Sequence, residues 1–274
     1  MRSEKVTNIK PAALAAHIQP AECEKHGAFE QKVTLVLGRE FATHCPECTR
    51  LANEEQAAAD EAKKAYERRV RLAEKLGEAL IPKRFAKRTL DDYAVENEGQ
   101  RKALNFCRHY VKTFGSENDP KSIRGSGRCM VLIGKPGTGK THLGVAIANE
   151  LLHKTSHTAV YRTVGSILQA IRATYDRNND RSEADILSSL IDPDLLVLDE
   201  IGVSKDQPSD FELTTLFAII NGRYQDVKPT VVISNLAGDE LSRAMGERCV
   251  DRLREGNLIV VPFDWESQRG KEGF

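Results

Sequence analysis

A glycine-rich segment between an apolar run and a helix-forming run carries the strongest chemical signal in the sequence. It reads GKPGTGKT, follows CMVLI directly and precedes HLGVAIANELL. The spacing matches G-x-x-x-x-G-K-[ST], in which glycines let backbone amides turn inward around phosphate oxygens and a helix N-terminus adds positive potential. The predicted phosphate-binding loop consists of Gly134, Lys135, Pro136, Gly137, Thr138, Gly139, Lys140 and Thr141.

Two residues of this loop have separate expected tasks. Lys140 would reach the β- and γ-phosphates of a bound nucleotide, and the Thr141 hydroxyl would be a ligand of Mg²⁺. The alternative is a fortuitous glycine-rich turn, which the predicted strand and helix on its two flanks argue against. We therefore expect ATP or ADP, with Mg²⁺, at this loop.

A pair of acids closes a second apolar run, LLVLDE, which lies well downstream of the glycine loop. Ligands of open α/β sheets bind at the carboxyl ends of the strands, which is where Asp199 and Glu200 would stand. Asp199 would hold Mg²⁺ through water, and Glu200 would polarise the attacking water as a general base. The alternative is that both acids cap the next turn. The pairing with the glycine loop favours ATP hydrolysis.

The run TVVISN ends in a third polar residue, Asn235. Residues 230–234 are predicted to form a strand beside LLVLDE, which would place Asn235 near the γ-phosphate. Its neutral amide would hydrogen-bond the attacking water without adding charge. The alternative is an ordinary turn residue after a strand.

Cysteine and histidine form two short knuckles near the N-terminus, Cys23-x₂-His26 and Cys45-x₂-Cys48, separated by the segment 27–44. Three thiolates and one imidazole suit a closed, tetrahedral, structural Zn²⁺ site, with a hairpin over residues 31–43 between the knuckles. The alternative is unrelated free thiols, and His44 is an alternative ligand. Packing is the expected role of Cys107, Cys129, Cys249 and the single tryptophan, Trp265.

The elements that must position these residues alternate between apolar β-branched runs and helix-forming runs from Arg128 onward. Helices of 10–15 residues between such runs indicate a parallel sheet covered on both faces, so the predicted fold class is α/β. Upstream, residues 50–80 predict an exposed helical arm and residues 99–114 an amphipathic helix. The predicted strands are CMVLIG, TAVYRTV, LLVLDE, TVVISN and LIVVPF.

Composition narrows the class of protein further. With 40 basic and 40 acidic side chains the formal net charge is zero, so overall basicity does not advertise nucleic-acid binding. The N-terminal segment MRSEKVTNIKPAALAAHIQP lacks the apolar run of a signal peptide, and no segment predicts a transmembrane helix. We expect a cytoplasmic protein without membrane contact.

Taken together, GKPGTGKTHL, LLVLDEIG, INGRY, PTVVISNL and GERCVDRLREG resemble the AAA+ ATPases of the DnaC/IstB group over residues 80–270. This group contains replicative helicase loaders and ATPases that assist transposases. The resemblance implies that Lys140 and Thr141 belong to the Walker A motif and that Asp199 and Glu200 form the Walker B motif. It also implies that Asn235 is sensor 1.

The resemblance also implies an arginine finger at Arg252, with Arg248 one helical turn before it. Such a guanidinium would act on the γ-phosphate of a neighbouring subunit, so self-association is expected. The alternative is two surface arginines on a helix. The segment 253–274 is too short for the usual AAA+ lid, as in this group, and Arg269 would then approach the nucleotide.

The resulting organisation has a zinc-binding module at 1–49, a helical arm at 50–80 and an AAA+ domain at 81–274. The N-terminal zinc knuckles resemble phage and prophage members of the DnaC-like group. The function implied is a helicase loader that contacts a DnaB-like replicative ring helicase and single-stranded DNA, with Arg172, Arg177 and Arg181 of the 165–194 insertion as candidate DNA contacts. The alternatives are an IstB-like transposase-assisting ATPase and a zinc-dependent adaptor with a static nucleotide switch.

Overall fold

The computed structural model describes residues 16–36, 39–176, 180–202, 207–236 and 238–268. The chain divides into two compact units, Met1–Val70 and Arg71–Phe274. Within the described ranges, no helix combines the length and the apolar character needed to cross a membrane. Arg177 and Arg269, to which the sequence assigned tasks, lie outside these ranges.

The N-terminal unit contains a small antiparallel sheet in the order β1-β2-β3. Its strands are β1 (Ala16–Cys23), β2 (Gly27–Val36) and β3 (Arg39–Ala42). The pairing of β2 with β3, for example Val33 with Ala42, is the hairpin that the sequence predicts between the two knuckles. Strand β1, which pairs with β2 along its whole length, was not expected from the sequence.

A single helix, α1 (Pro46–Ala79), follows this sheet and crosses the division between the two units. It begins at Pro46 rather than at the predicted residue 50, because proline is well tolerated in the first turn of a helix. Every residue from 50 to 70 is exposed, as expected for a helical arm whose apolar residues are few and small.

The C-terminal unit is an α/β domain, as predicted. Its strands are β4 (Met130–Gly134), β5 (Ala159–Thr163), β6 (Leu195–Ile201), β7 (Thr230–Ser234) and β8 (Ile259–Phe263). Its helices are α2 (Glu98–Lys112), α3 (Ile123–Ser126), α4 (Lys140–Lys154), α5 (Val164–Ala173), α6 (Glu183–Ile191), α7 (Asp210–Gln225), α8 (Asp239–Met245) and α9 (Glu247–Glu255). Helix α3 interrupts a segment that the sequence predicted to be entirely loop, because the Ser122 side chain caps it.

All five strands of this domain are parallel and stand in the order β5-β6-β7-β4-β8. The predicted neighbourhood of β6 and β7 is therefore confirmed. Helices α2 and α4 pack on one face, around Leu143 and Ile147, and helices α5 to α9 pack on the other, around Ile219 and Leu253. Burial on both faces explains why the strands read as continuous apolar runs.

Candidate nucleotide-binding and metal-binding sites

The glycine loop joins the end of β4 to the start of α4, as its sequence predicts. Gly134, Gly137 and Gly139 have φ values of 141°, 78° and 95°, a region that favours glycine. A Cβ at Gly134 would also lie 2.0 Å from the Phe263 carbonyl oxygen on the neighbouring strand. Glycine is thus required here both for backbone conformation and for the close approach of β8.

The Lys140 side chain lies across this loop. Its Nζ donates hydrogen bonds to the carbonyl oxygens of Gly134 at 2.7 Å and Lys135 at 2.6 Å, and the residue is only 6% exposed. The Thr138 hydroxyl donates to the Lys135 carbonyl at 2.8 Å and closes the turn. The ammonium group is therefore held at the loop by backbone oxygens, within a side-chain rotation of a phosphate bound there.

The Asp199 carboxylate is fixed by three donors. Its Oδ2 accepts from the Thr141 hydroxyl at 2.9 Å and from the Tyr161 hydroxyl at 2.8 Å, and its Oδ1 accepts from the Glu200 amide at 2.7 Å. Burial, and then the Asp199 charge, raise the pKa of Tyr161 well above its usual range, so the phenol stays protonated and donates. The structure therefore brings together the loop threonine and the strand aspartate, as the sequence predicted.

Tyr161 is the functional candidate that sequence reasoning missed. It stands on β5, two residues before Thr163, whose backbone pairs with Asp199. Residues two apart on a strand share a face, so the phenol points to the side of the sheet that carries the Asp199 carboxylate. A hydroxyl near the end of the strand beside LLVLDE was the available signal, and only the strand order gives it meaning.

Glu200 and Asn235 follow the ends of two neighbouring strands. Glu200 adopts a left-handed conformation, with φ of 60°, at an irregularity in the pairing of β6 with β7. Its side chain is exposed, as is Asn235 immediately after β7. The Ser234 hydroxyl donates to the Ile201 carbonyl at 3.0 Å and locks the two strand ends together. Both predicted water-handling residues thus face solvent at the carboxyl edge of the sheet.

Both predicted finger arginines lie on α9, which leads into the amino end of β8. The Arg252 guanidinium lies 4.4 Å from the centre of the Tyr224 ring, and its Nη1 is 3.4 Å from Glu255 Oε2. Arg252 also lines a cavity of about 470 Å³ with Gly127, which precedes β4, and Thr230, which begins β7. Arg252 therefore stands at the edge of the sheet opposite its own phosphate loop, while Arg248 is exposed one turn earlier.

The two N-terminal knuckles converge, with all four candidate ligand atoms within 4.8 Å of one another. His26 Nδ1 lies 3.7, 3.6 and 3.3 Å from the Sγ atoms of Cys23, Cys45 and Cys48, and the sulfurs of Cys23 and Cys48 are 3.6 Å apart. Tetrahedral zinc would separate two sulfurs by about 3.8 Å and sulfur from nitrogen by about 3.6 Å. The spacing of the four atoms fits zinc without rearrangement.

The acid–base state of the cluster also suits a cation. Backbone hydrogen bonds from Lys25 and then His26 lower the pKa of Cys23 to about 6, so its thiolate is available at neutral pH. The hydrogen bond with Cys23 raises the pKa of Cys48 to about 11, so without a metal the cluster keeps a proton there. A divalent cation would take the place of that proton. His44, the alternative ligand, is not part of the cluster.

A parallel sheet in this order, with a phosphate loop after its β4 strand and an acid pair on β6, defines a P-loop ATPase of the AAA+ class. The sequence profile described as "IstB-like ATP binding protein" matches residues 121–271. The chain therefore belongs to this family of ATP-binding proteins. The resemblance to the DnaC/IstB group and the prediction of an ATPase are confirmed.

Individual relatives agree with this family. The protein named replicative helicase loader DnaC from Escherichia coli (strain K12) is 38% identical over 183 residues, which are 67% of this chain and 69% of that protein. The DnaC of Buchnera aphidicola subsp. Acyrthosiphon pisum is 34% identical over 195 residues, 71% of this chain and 74% of that protein.

Solved structures give the same fold. The crystal structure of the DnaC helicase loader matches with a TM-score of 0.55 and 25% identity, over 66% of this chain and 99% of that one. The crystal structure of DnaI matches with a TM-score of 0.52 and 22% identity, over 68% of this chain and 94% of that one, and supports the fold alone.

Proposed function

We propose that this protein is an ATP-dependent loader of a replicative ring helicase. The observation that carries the proposal is the 38% identity to the helicase loader DnaC over 183 residues. The loader would bind ATP at the interface between subunits, and hydrolysis would change its grip on a DnaB-like helicase and on single-stranded DNA.

In this proposal the amides of the glycine loop hold the phosphates, and Lys140 leaves the two carbonyls to bind the β- and γ-phosphates. The Thr141 hydroxyl and the Asp199 carboxylate, 2.9 Å apart, form an oxygen-donor pair of the kind Mg²⁺ prefers. Bound Mg²⁺ would neutralise charge on those phosphates. Asp199 would keep its hydrogen bond from Thr141 and orient a metal-bound water.

Glu200 and Asn235 are proposed to handle the attacking water. Both face solvent after adjacent strands, so a water above the γ-phosphate would have a carboxylate on one side and an amide on the other. Glu200 would accept the proton of this water, and Asn235 would orient it. The left-handed backbone at Glu200 supports this role, because such strain persists where the surrounding structure maintains it.

Arg252 is proposed to act on the nucleotide of a neighbouring subunit, with Arg248 beside it. The distance between α9's carboxyl end and the phosphate loop of the same subunit favours action in trans. A guanidinium that neutralises charge on a partner's γ-phosphate would couple hydrolysis to self-association.

Zn²⁺ is proposed for the cluster of Cys23, His26, Cys45 and Cys48. The four donors come from the β1–β2 turn and from the first turn of α1, so the metal would fasten the small sheet to the start of the helical arm. The N-terminal unit would then be the part that grips the helicase. Arg172 and Arg181, both exposed on the ATPase domain, are proposed DNA contacts.

ATP turnover, with and without single-stranded DNA and a DnaB-like helicase, tests the proposal. The Arg252→Ala variant should lose turnover and recover it when mixed with Lys140→Ala subunits, which bind no nucleotide but still donate Arg252. A helicase transferred to a DNA circle only in the presence of this protein and ATP would support loading. No transfer together with normal turnover would contradict it.

An IstB-like transposase-assisting ATPase is the second candidate, because the matching family profile carries that name. Stimulation of turnover by a transposase rather than by a helicase would favour it. A zinc-dependent adaptor with a static nucleotide switch predicts ATP binding without turnover, and its function would survive Glu200→Gln.

A further inference from the structure

The residues that follow β8 run along the outside of the phosphate loop. The Lys135 amide donates to the Phe263 carbonyl at 3.3 Å, and the Gln268 amide donates to the Gly137 carbonyl at 2.8 Å. Between them, the indole Nε1 of Trp265 donates to the Thr138 carbonyl at 3.0 Å. Residues 264–268, here called the strap, therefore contact the loop by both backbone and side-chain hydrogen bonds.

A second aromatic donor reaches the same oxygen from a different part of the chain. The Tyr93 hydroxyl lies 3.2 Å from the Thr138 carbonyl oxygen. Both aromatic residues are 8% exposed, and Thr138 is fully buried. Burial raises the pKa of Tyr93 well above its usual range, so the phenol keeps its proton and donates. A carbonyl oxygen has two lone pairs, and the two donors can occupy both.

Two glycines leave room for these rings. A Cβ on Gly139 would lie 2.7 Å from Tyr93 Cε2, and a Cβ on Gly99 would lie 2.9 Å from Trp265 Cε3. Gly139 thus serves the loop twice, by its φ of 95° and by admitting the phenol. Trp265 was expected to be a packing residue, and it does pack on Phe263, but its N–H has a specific backbone partner as well.

The geometry of the peptide bond converts these contacts into a statement about phosphate binding. In a trans peptide the C=O and the following N–H point in opposite directions. With the Thr138 carbonyl held outward, the Gly139 amide points into the loop. The Gly137 carbonyl, held by the strap, orients the Thr138 amide in the same way. Amides at these positions are the ones that cradle phosphate oxygens.

We infer that Tyr93 and Trp265 are positioning residues for nucleotide binding, acting through the Thr138 carbonyl to fix the Gly139 amide toward the β-phosphate. Neither side chain needs to touch the nucleotide. The two hydrogen bonds remove the freedom of a glycine-rich peptide to rotate, so that binding does not have to order it. The inference rests on nucleotide binding at this loop and is independent of the helicase partner.

The test is a double-mutant cycle on the affinity for a fluorescent ADP analogue, measured without Mg²⁺. Trp265→Phe and Tyr93→Phe each keep a ring and remove one donor. Because either donor alone still holds the carbonyl outward, each single variant should weaken binding by about threefold or less. The double variant should weaken it by well over the product of the two, about thirtyfold or more.

Tyr110→Phe is the matched control, because Tyr110 is also a buried phenol that donates to a backbone carbonyl, that of Arg128 at 2.9 Å. It should lower the melting temperature without changing ADP affinity. Additive losses in the cycle, or ADP affinity unchanged in the double variant, would overturn the inference.

If the double variant does not fold, Gly99→Ala combined with Tyr93→Phe replaces it, since the added methyl displaces the indole of Trp265. Lys140→Ala separates the two levels of the argument. Wild-type binding that is insensitive to Lys140→Ala would refute the nucleotide site itself, whereas binding lost in Lys140→Ala but unaffected by the cycle would refute only the role of the two aromatic residues.

Discussion

The Tyr161 hydroxyl donates a hydrogen bond of 2.8 Å to Asp199 Oδ2, the oxygen that also accepts from Thr141. A carboxylate that orients metal-bound water depends on such outer partners for its own orientation, and their removal costs about 10- to 100-fold in metal affinity. Tyr161 connects the edge strand β5 to the centre of the nucleotide site.

Tyr161→Phe should raise the Mg²⁺ concentration needed for half-maximal enhancement of nucleotide affinity by about tenfold. Binding of ADP without Mg²⁺ should be unchanged, because the phosphate loop is intact. Titration of Mg²⁺ against a fluorescent nucleotide measures both. A loss of affinity that is equal with and without Mg²⁺ would show that Tyr161 serves only the fold.

Trp265 is the single tryptophan of the chain, and its indole N–H is bonded to the phosphate loop. Phosphate entry draws Lys140 away from the two loop carbonyls, which changes the surroundings of Thr138 and hence of the indole. Tryptophan emission should therefore change saturably as ADP is added to the wild type and stay constant in Lys140→Ala. Constant wild-type emission, while equilibrium dialysis shows bound ADP, would contradict this expectation.

His26→Ala should release zinc from the N-terminal unit, and His44→Ala should retain it. The imidazole of His26 lies in the four-residue cluster, whereas His44 is an exposed neighbour. Metal content of the purified protein should be one zinc per chain in the wild type and in His44→Ala. Loss of the metal should make residues 16–48 sensitive to protease while ATP binding persists, because the ATPase domain has its own core.

Equal zinc content in the two histidine variants would contradict the assignment of His26. Zinc retained after replacement of both His26 and Cys48 would place the metal elsewhere in the chain.

Asp194 predicts acid sensitivity of the ATPase domain. Burial alone would raise the pKa of Asp194, but hydrogen bonds from His157, Thr158 and Arg124 outweigh burial and hold it well below its usual range. The unfolded chain therefore takes up a proton at higher pH than the folded one. The resulting stability is present above the unfolded pKa of about 4 and is lost as pH falls below that value.

Asp194→Asn should accordingly reduce the free energy of unfolding at pH 7 by about 1.5–3 kcal/mol, the usual range for hydrogen bonds to a charged group. The difference from wild type should shrink as pH is lowered from about 5 toward 3. Chemical denaturation at several pH values measures it. A difference that stays constant over that range would mean that the carboxylate charge contributes nothing.

The sequence by itself determined the motifs whose members are close together along the chain. The glycine loop, the acid pair and the two zinc knuckles each depend on spacings of a few residues, which local backbone geometry converts directly into position. The α/β class and the pairing of β6 with β7 also followed from sequence, because apolar runs between helices leave few ways to bury both faces of a parallel sheet.

Only the tertiary structure decided which distant residues support those motifs. Tyr161 meets Asp199 across 38 residues through the register of β5 and β6, and Trp265 meets Thr138 across 127 residues after the chain has crossed the sheet. Arg252 faces Tyr224 at the edge opposite the phosphate loop because of the direction of α9. A single aromatic residue in a sequence has no period or spacing that reveals its partner, since strand order and packing bring the two together.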